Sequence, residues 1–328
     1  MPLHNHPNAV ELVTALLSYA LEQRASDIHF DPYPEFCRVR LRIDGMIHAH
    51  SQLPTAAYQA VLTRIKTLSG LDIAQQRIPQ DGRWVYYQAD HPAQFRVHTC
   101  ASIHGEKLVL RSVQAADQGL TLEELGLLPA QFDQVLALLA HTHGLILLCG
   151  PTGSGKTMSL YAMLRHLREQ HLQIITLEDP VEIALEGISQ LQINRKQQLD
   201  FATLLRASLR QDPDVIMIGE IRDHETAEIA VRAALTGHLV LASLHTPNAT
   251  ASLARLRNMG IASYDLDECL RAVIAQRLVR VLDQGTLRGR TGLFEVYQPN
   301  QCGLRLEEVA GLKVQAGITT LEEVQRVL

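Results

Sequence analysis

The chain's 328 residues, 46% of them hydrophobic and 20% charged, suffice to bury a full core and to form about two domains. A formal net charge of −5 gives no bulk attraction to nucleic acid. The apolar runs are short and broken, and the start MPLHNHPNAV lacks a charged segment followed by an apolar core. Both observations exclude a membrane-spanning helix and a signal peptide and predict a cytoplasmic protein.

In chain order, residues 10–23 predict an amphipathic helix, and residues 39–45 alternate apolar and charged side chains before a turn, as a half-buried strand does. Residues 58–68 repeat the helical pattern. After PQDGR come strand-like pieces at 84–87, 94–99 and 107–113, so residues 1–113 are expected to form a compact α+β domain. Residues 114–120 are polar and lose periodicity, which predicts a linker, and a helical pattern restarts over 122–140. Apolar strand candidates then recur at 145–149, 174–177, 215–218 and 239–243 with helix-length segments between them. That alternation predicts an α/β domain with a largely parallel sheet over 121–328, whose tail from Leu253 reads as mostly helical.

The five cysteines, Cys37, Cys100, Cys149, Cys269 and Cys302, are widely spaced and contain no CxxC, so they read as buried thiols rather than as disulfides or a zinc ribbon. The HxH pairs His4/His6, His48/His50 and His141/His143 have no cysteine companions and read as surface or core histidines.

The most informative stretch is GPTGSGKT: Gly150, Pro151, Thr152, Gly153, Ser154, Gly155, Lys156 and Thr157. It follows an apolar strand and opens a helix. In such a loop glycines let successive backbone N–H groups face phosphate oxygens. Lys156 is placed to reach the β/γ-phosphates of ATP, and the Thr157 hydroxyl to sit on Mg²⁺. The helix N-terminus adds to the same anion site. Polar residues just beyond the other strands should complete the site. Three clusters qualify. Glu178-Asp179-Pro180-Val181-Glu182 offers a carboxylate able to act as general base. Residues 214–220 form a buried strand in which Gly219 replaces the usual acid, leaving Glu220 to support Mg²⁺. His238 and His245 bracket a further strand, with His245 expected near the γ-phosphate.

Together these segments resemble the secretion and pilus-assembly ATPases of the type II secretion/type IV pilus superfamily, in family order and over nearly the whole chain. GPTGSGKT corresponds to the Walker A box, ITLEDPVE to the aspartate box, IMIGEIRD to an atypical Walker B, and TGHLVLASLHT to the histidine box. RASDIHFDP and QRIPQDGR look like that family's N-terminal domain. The resemblance implies a RecA-like P-loop NTPase domain with a smaller, PAS-like α+β domain before it. By position it assigns Glu182 as catalytic base, Glu220 as Mg²⁺ support, and His238 and His245 as γ-phosphate sensors. Arg83 and Arg96 become arginines that reach the nucleotide from the N-terminal domain.

It further implies a homo-hexameric ATPase at the cytoplasmic face of the membrane, working through a polytopic inner-membrane platform protein on pilin-like subunits, without direct contact to nucleic acid. The family's additional N-terminal docking domain and its four-cysteine zinc module after QRLVR have no counterpart in this sequence, so no zinc is expected and anchoring should differ. This short form looks most like the ATPase of the competence pseudopilus. Two rival readings are a RecA-like nucleic-acid motor, which lacks a basic tract interleaved with aromatics, and a nucleotide-regulated adaptor with little turnover, which would not need Glu182, Glu220 and the histidines.

Overall fold

A computed structural model describes residues 8–88, 91–112, 119–299, 301 and 303–328. His4, His6, Val113, Cys302 and linker positions 114–118 lie outside the described residues. The chain divides into two compact units, Met1–Gln118 and Gly119–Leu328.

In the first unit, helix α1 (Ala9–Glu22) starts at Asn8, whose side-chain oxygen accepts the Glu11 N–H at 2.9 Å. Strands β1 (Asp27–Pro32), β2 (Phe36–Ile43) and β3 (Met46–Pro54) lead to α2 (Thr55–Leu68), followed by β4 (Gln80–Gln88), β5 (His91–Ser102) and β6 (Gly105–Ser112). They form one sheet in the order β3-β2-β1-β6-β5-β4, every pair antiparallel. Alternation along the strands sends Ile28, Phe30, Val39, Leu41, Phe95, Val97, Leu108 and Leu110 into a core shared with Leu16, Leu17, Val61 and Ile65 of the two helices. The same alternation puts Arg83, Arg96, Arg111, Asp27 and Arg42 in one cross-strand row on the opposite face. Within that row Asp27 bonds Arg111 at 2.7 Å and lies 3.4 Å from Arg42. A buried ion pair, Lys66 Nζ to both Glu106 oxygens at 2.9 Å, ties α2 to β6. Strands β1 and β3 are absent from the sequence expectation, because DIHFDP and MIHAHSQLP mix histidine, proline and polar residues with few apolar ones.

The second unit opens with a short 3₁₀ turn (Glu123–Leu125) and α3 (Pro129–Leu139), so the helical pattern expected over 122–140 is interrupted at Gly126, where φ is +86°. Strand β7 (Gly144–Cys149) precedes α4 (Lys156–Arg168). Then come β8 (Ile174–Glu178), β9 (Ser189–Gln192), α5 (Phe201–Ser208), β10 (Val215–Ile218), α6 (His224–Leu235) and β11 (Leu239–Leu244). Helices α7 (Ala249–Asn258) and α8 (Ser263–Cys269) precede β12 (Leu270–Asp283) and β13 (Thr286–Tyr297), and α9 (Leu306–Gln315) and α10 (Leu321–Val327) finish the chain. The sheet order is β13-β12-β7-β11-β10-β8-β9, parallel throughout except for β13. The four central strands β7, β8, β10 and β11 are buried on both faces, as helix-covered parallel strands are.

The tail corrects the helical expectation from Leu253 onward: β12 and β13 make a long hairpin that extends the sheet. In LRAVIAQRLVRVLD apolar residues recur at both strand and helix spacings, and burial against β7 on one edge and β13 on the other selects the strand. Two buried charges fasten the last helices. Lys313 donates to the carbonyl of Gly292 at 2.7 Å and to that of Gly126 at 2.5 Å. Glu323 accepts from the Arg280 N–H at 3.0 Å and from the Arg280 and Arg326 guanidinium groups at 2.8 and 2.5 Å.

Candidate nucleotide site

Strand β7 ends at Cys149, and the loop from Gly150 to Gly155 turns the chain into α4. Two glycines are required sterically. Gly150 sits at φ +154°, where a Cβ would lie 2.6 Å from both the Gln276 carbonyl and Ser154 Oγ; Gly155, the residue before α4, sits at φ +92°, where a Cβ would lie 2.8 Å from Gln276 Nε2. Gln276 of β12, 2% exposed, is thus the floor on which the loop rests. Lys156 is 7% exposed and its ammonium donates to the carbonyls of Gly150 at 2.7 Å and Pro151 at 3.1 Å, so it lies within the curve of the loop. Burial holds its pKa below the usual lysine range. Cys149 and Glu220 act against that shift and Arg277 adds to it. Ser154 Oγ is buried without a hydrogen-bond partner. Thr157 is exposed on the first turn of α4. A cationic, backbone-lined cradle with an orphaned hydroxyl fits nucleotide phosphates, and the exposed Thr157 hydroxyl with the nearby strand-end carboxylates fits Mg²⁺.

Glu220 follows β10 and His245 follows β11, both at the carboxyl edge of the sheet that the phosphate loop also occupies. Gly219 keeps this exit close to β8: its N–H donates to the Leu177 carbonyl at 2.8 Å, and its own carbonyl accepts Ser243 Oγ at 2.6 Å. His245 Nε2 lies 3.3 Å from Glu220 Oε2, and Arg222 donates to Glu220 Oε1. Arg222 is also 3.7 Å from Asp179, which accepts from Arg195 at 3.1 Å. Carboxylates and basic groups from the ends of β8, β10 and β11 therefore converge, Glu220 and His245 among them.

His238 is not part of this cluster. It precedes β11, at the amino edge of the sheet, with Nδ1 3.0 Å from the Ala233 carbonyl at the end of α6. A strand advances about 3.3 Å per residue, which separates it from His245 by about 20 Å. The histidine box thus spans a whole strand, and His238, for which a γ-phosphate role is expected, lies at the opposite edge of the sheet from His245.

Glu182 is half-buried in the ten-residue connection 179–188 between β8 and β9. Glu178 is 3% exposed and its carboxylate is occupied by Tyr161 O–H, by Thr176 Oγ1 at 2.7 Å and by Gln190 Nε2 at 3.0 Å. Three protein donors and this burial set Glu178 apart from an exposed carboxylate free to activate a water. Arg83 and Arg96 are direct cross-strand partners on β4 and β5 of the first unit. Sequence reasoning missed Tyr161, Gln190, Gln276 and Arg277. The last donates to the Pro247 carbonyl at 2.9 Å and so ties β12 to the exit of β11. Their only sequence signal was a polar group inside an apolar run. Among the described residues no group of three or more His, Cys, Asp and Glu side chains is gathered to hold a metal, and no helix is long and apolar enough to cross a membrane.

A family model described as type II/IV secretion system protein matches residues 3–326. The chain is similar to the protein transport protein HofB homolog of Escherichia coli strain K12, at 42% identity over 98% of this chain and 82% of that protein. It is also similar to the type IV pilus assembly ATPase PilB of Pseudomonas aeruginosa, at 43% identity over 89% of this chain and 55% of the relative. The type II secretion system protein E of Klebsiella pneumoniae is 46% identical over 83% of this chain and 55% of its own length. The chain thus spans about half the length of the latter two. Among solved structures, the pilus retraction motor PilT with bound ADP superposes with a TM-score of 0.67 at 28% identity, covering 95% of this chain and 96% of PilT. The Legionella pneumophila ATPase DotB gives 0.81 at 23% identity over 98% and 96%, a likeness of fold.

Proposed function

The chain belongs to the type II/IV secretion system protein family, and from that membership we propose that it is a P-loop ATPase motor that powers assembly of a pilus or pseudopilus, for DNA-uptake competence or type II-like secretion. The observation that carries the reading is the inward-turned Lys156 in a glycine cradle, at the same sheet edge as the Glu220–His245 contact. Lys156 offers its charge to the β/γ-phosphates of ATP, and the loop N–H groups orient them. Mg²⁺, held by Thr157 and Glu220, would neutralise charge on the phosphate oxygens. Glu182 takes a proton from the attacking water, and His245, beside Glu220, meets the γ-phosphate. Arg83 and Arg96 approach the nucleotide when the first unit closes on a site in a homo-hexamer. The ring works peripherally at the cytoplasmic face of the membrane, through a polytopic platform protein, on pilin-like subunits.

Steady-state phosphate release tests the chemistry. Lys156→Ala should abolish turnover. Glu182→Gln and Glu220→Gln should keep nucleotide binding and lower turnover by about 10²–10⁴-fold. Wild-type turnover in Lys156→Ala would refute the ATPase reading, and turnover retained in Glu182→Gln would remove that residue from the base role.

A further inference from the structure

Parallel neighbours such as β8 and β9 are ordinarily joined by a crossover of a dozen or more residues containing a helix. Here the connection is ten irregular residues, 179–188, and it carries Glu182. Side chains from α4 and β9 hold its backbone. The Glu182 N–H donates to the Tyr161 hydroxyl at 3.3 Å. Gln190 of β9 holds two further points, accepting the Leu185 N–H at 2.7 Å and donating to the Ile183 carbonyl at 3.0 Å. Arg168 donates to the Glu186 carbonyl at 2.9 Å.

Tyr161 and Gln190 share one partner, the carboxylate of Glu178, with Thr176 as its third donor. Tyr161, Thr176 and Glu178 are all buried, at 0%, 0% and 3% exposure. Burial and the Glu178 charge push the Tyr161 phenol well above its ordinary range, so it remains a donor at any working pH. Tyr161 also belongs to α4, the helix whose first residue is Lys156. A network buried this deeply is stable only if each member is satisfied, and loss of one hydroxyl leaves a carboxylate oxygen and a backbone N–H short of partners.

We infer that Tyr161, Glu178 and Gln190 are positioning residues that tie the aspartate-box loop to the phosphate-loop helix and hold Glu182 at its working place. The inference rests on Glu182 being the base. Glu178 serves as the common acceptor, and Tyr161 and Gln190 act on the reaction only through the loop.

The experiment compares full-length Tyr161→Phe, Gln190→Leu, Glu182→Gln and Tyr161→Phe/Glu182→Gln. It measures steady-state kcat and KM for ATP, and amide exchange at Glu182 and Leu185. Misplacement of a reacting group by about 1 Å costs up to about 10²-fold. Tyr161→Phe and Gln190→Leu should therefore lower kcat by about 10–100-fold with KM within about twofold, and speed exchange of the two amides at least tenfold. The double variant should be no slower than Glu182→Gln alone, since effects of groups acting as a unit do not add. A merely structural role would instead lower the melting temperature and leave kcat of the folded fraction at the wild-type value, and that result overturns the inference. If Glu182→Gln is inactive while Tyr161→Phe and Gln190→Leu turn over normally, the positioning inference fails and the base assignment stands. If Glu182→Gln itself turns over normally, the base assignment fails and takes the inference with it.

Discussion

Replacing Gly150 by alanine separates a phosphate loop that rests on β12 from one that is merely glycine-rich. At φ +154° the substituted residue enters a region that side chains avoid, costing about 1–3 kcal/mol. Its Cβ would also lie 2.6 Å from the Gln276 carbonyl and from Ser154 Oγ, and overpacking of that kind adds about 1–3 kcal/mol. One of these contacts is to strand backbone, which cannot swing aside, so the loop must move. Gly153→Ala provides the comparison: φ is +81° but nothing lies within 4 Å of its Cβ, leaving only a backbone cost of about 1–2 kcal/mol. Thermal unfolding with and without ADP reads both effects. A ligand at 100 times its Kd stabilises by about 2.7 kcal/mol, or roughly 5–11 °C for a unit of this size. Gly150→Ala should lose that nucleotide-dependent rise while retaining a folded sheet, and Gly153→Ala should keep most of it. A Gly150→Ala protein that melts like wild type and keeps the full ADP increment would refute the claim that Gln276 backs the loop.

Three further outcomes are expected. Burial alone would raise the Glu323 carboxyl, but the Arg326 and Arg280 hydrogen bonds outweigh it and hold the group at about 2. Because the folded value lies below the unfolded one, the stabilisation is complete above about pH 4.5 and is lost as pH falls towards 2. It amounts to no more than about 3 kcal/mol, given the partial exposure of both arginines. Urea unfolding across that window should show a steeper acid-dependent loss in the wild type than in Glu323→Gln, since Asp27, Asp31 and Asp200, also held low, titrate in both. Arg83→Ala and Arg96→Ala should lower turnover much more than nucleotide affinity, and activity per chain should rise with oligomerisation. A monomer as active as the ring would contradict closure of the first unit on the site. Elemental analysis should find no stoichiometric zinc, and one zinc per chain would send the search to the histidine pairs.

Much of the site was legible because its chemistry is local. The phosphate loop, the acid after β10 and the histidine after β11 each follow a four- to six-residue apolar run, and such runs in a parallel sheet deliver their next residue to the same edge. His238 failed that logic, since it precedes its strand. Strand β12 was unreadable for a different reason: burial on both faces of its first half erases the alternation that marks a strand, and what remains of LRAVIAQRLVRVLD satisfies helical spacing equally well. Tyr161 and Gln190 carry no local signature beyond a polar group among apolar neighbours. Their importance lies in contacts to residues 17 to 21 and 5 to 12 positions away, which only the folded crossover creates.

The backing of the phosphate loop by Gln276 also dictates an order of events during synthesis. The loop and its helix leave the ribosome early, but the strand beneath them is made roughly 120 residues later, which at about 5–20 residues per second is a delay of some 6–24 s. The carbonyl of Gly126 waits longer still, for Lys313. Throughout that interval a nascent chain displays the complete GPTGSGKT motif without the β12 surface against which Gly150 and Gly155 pack.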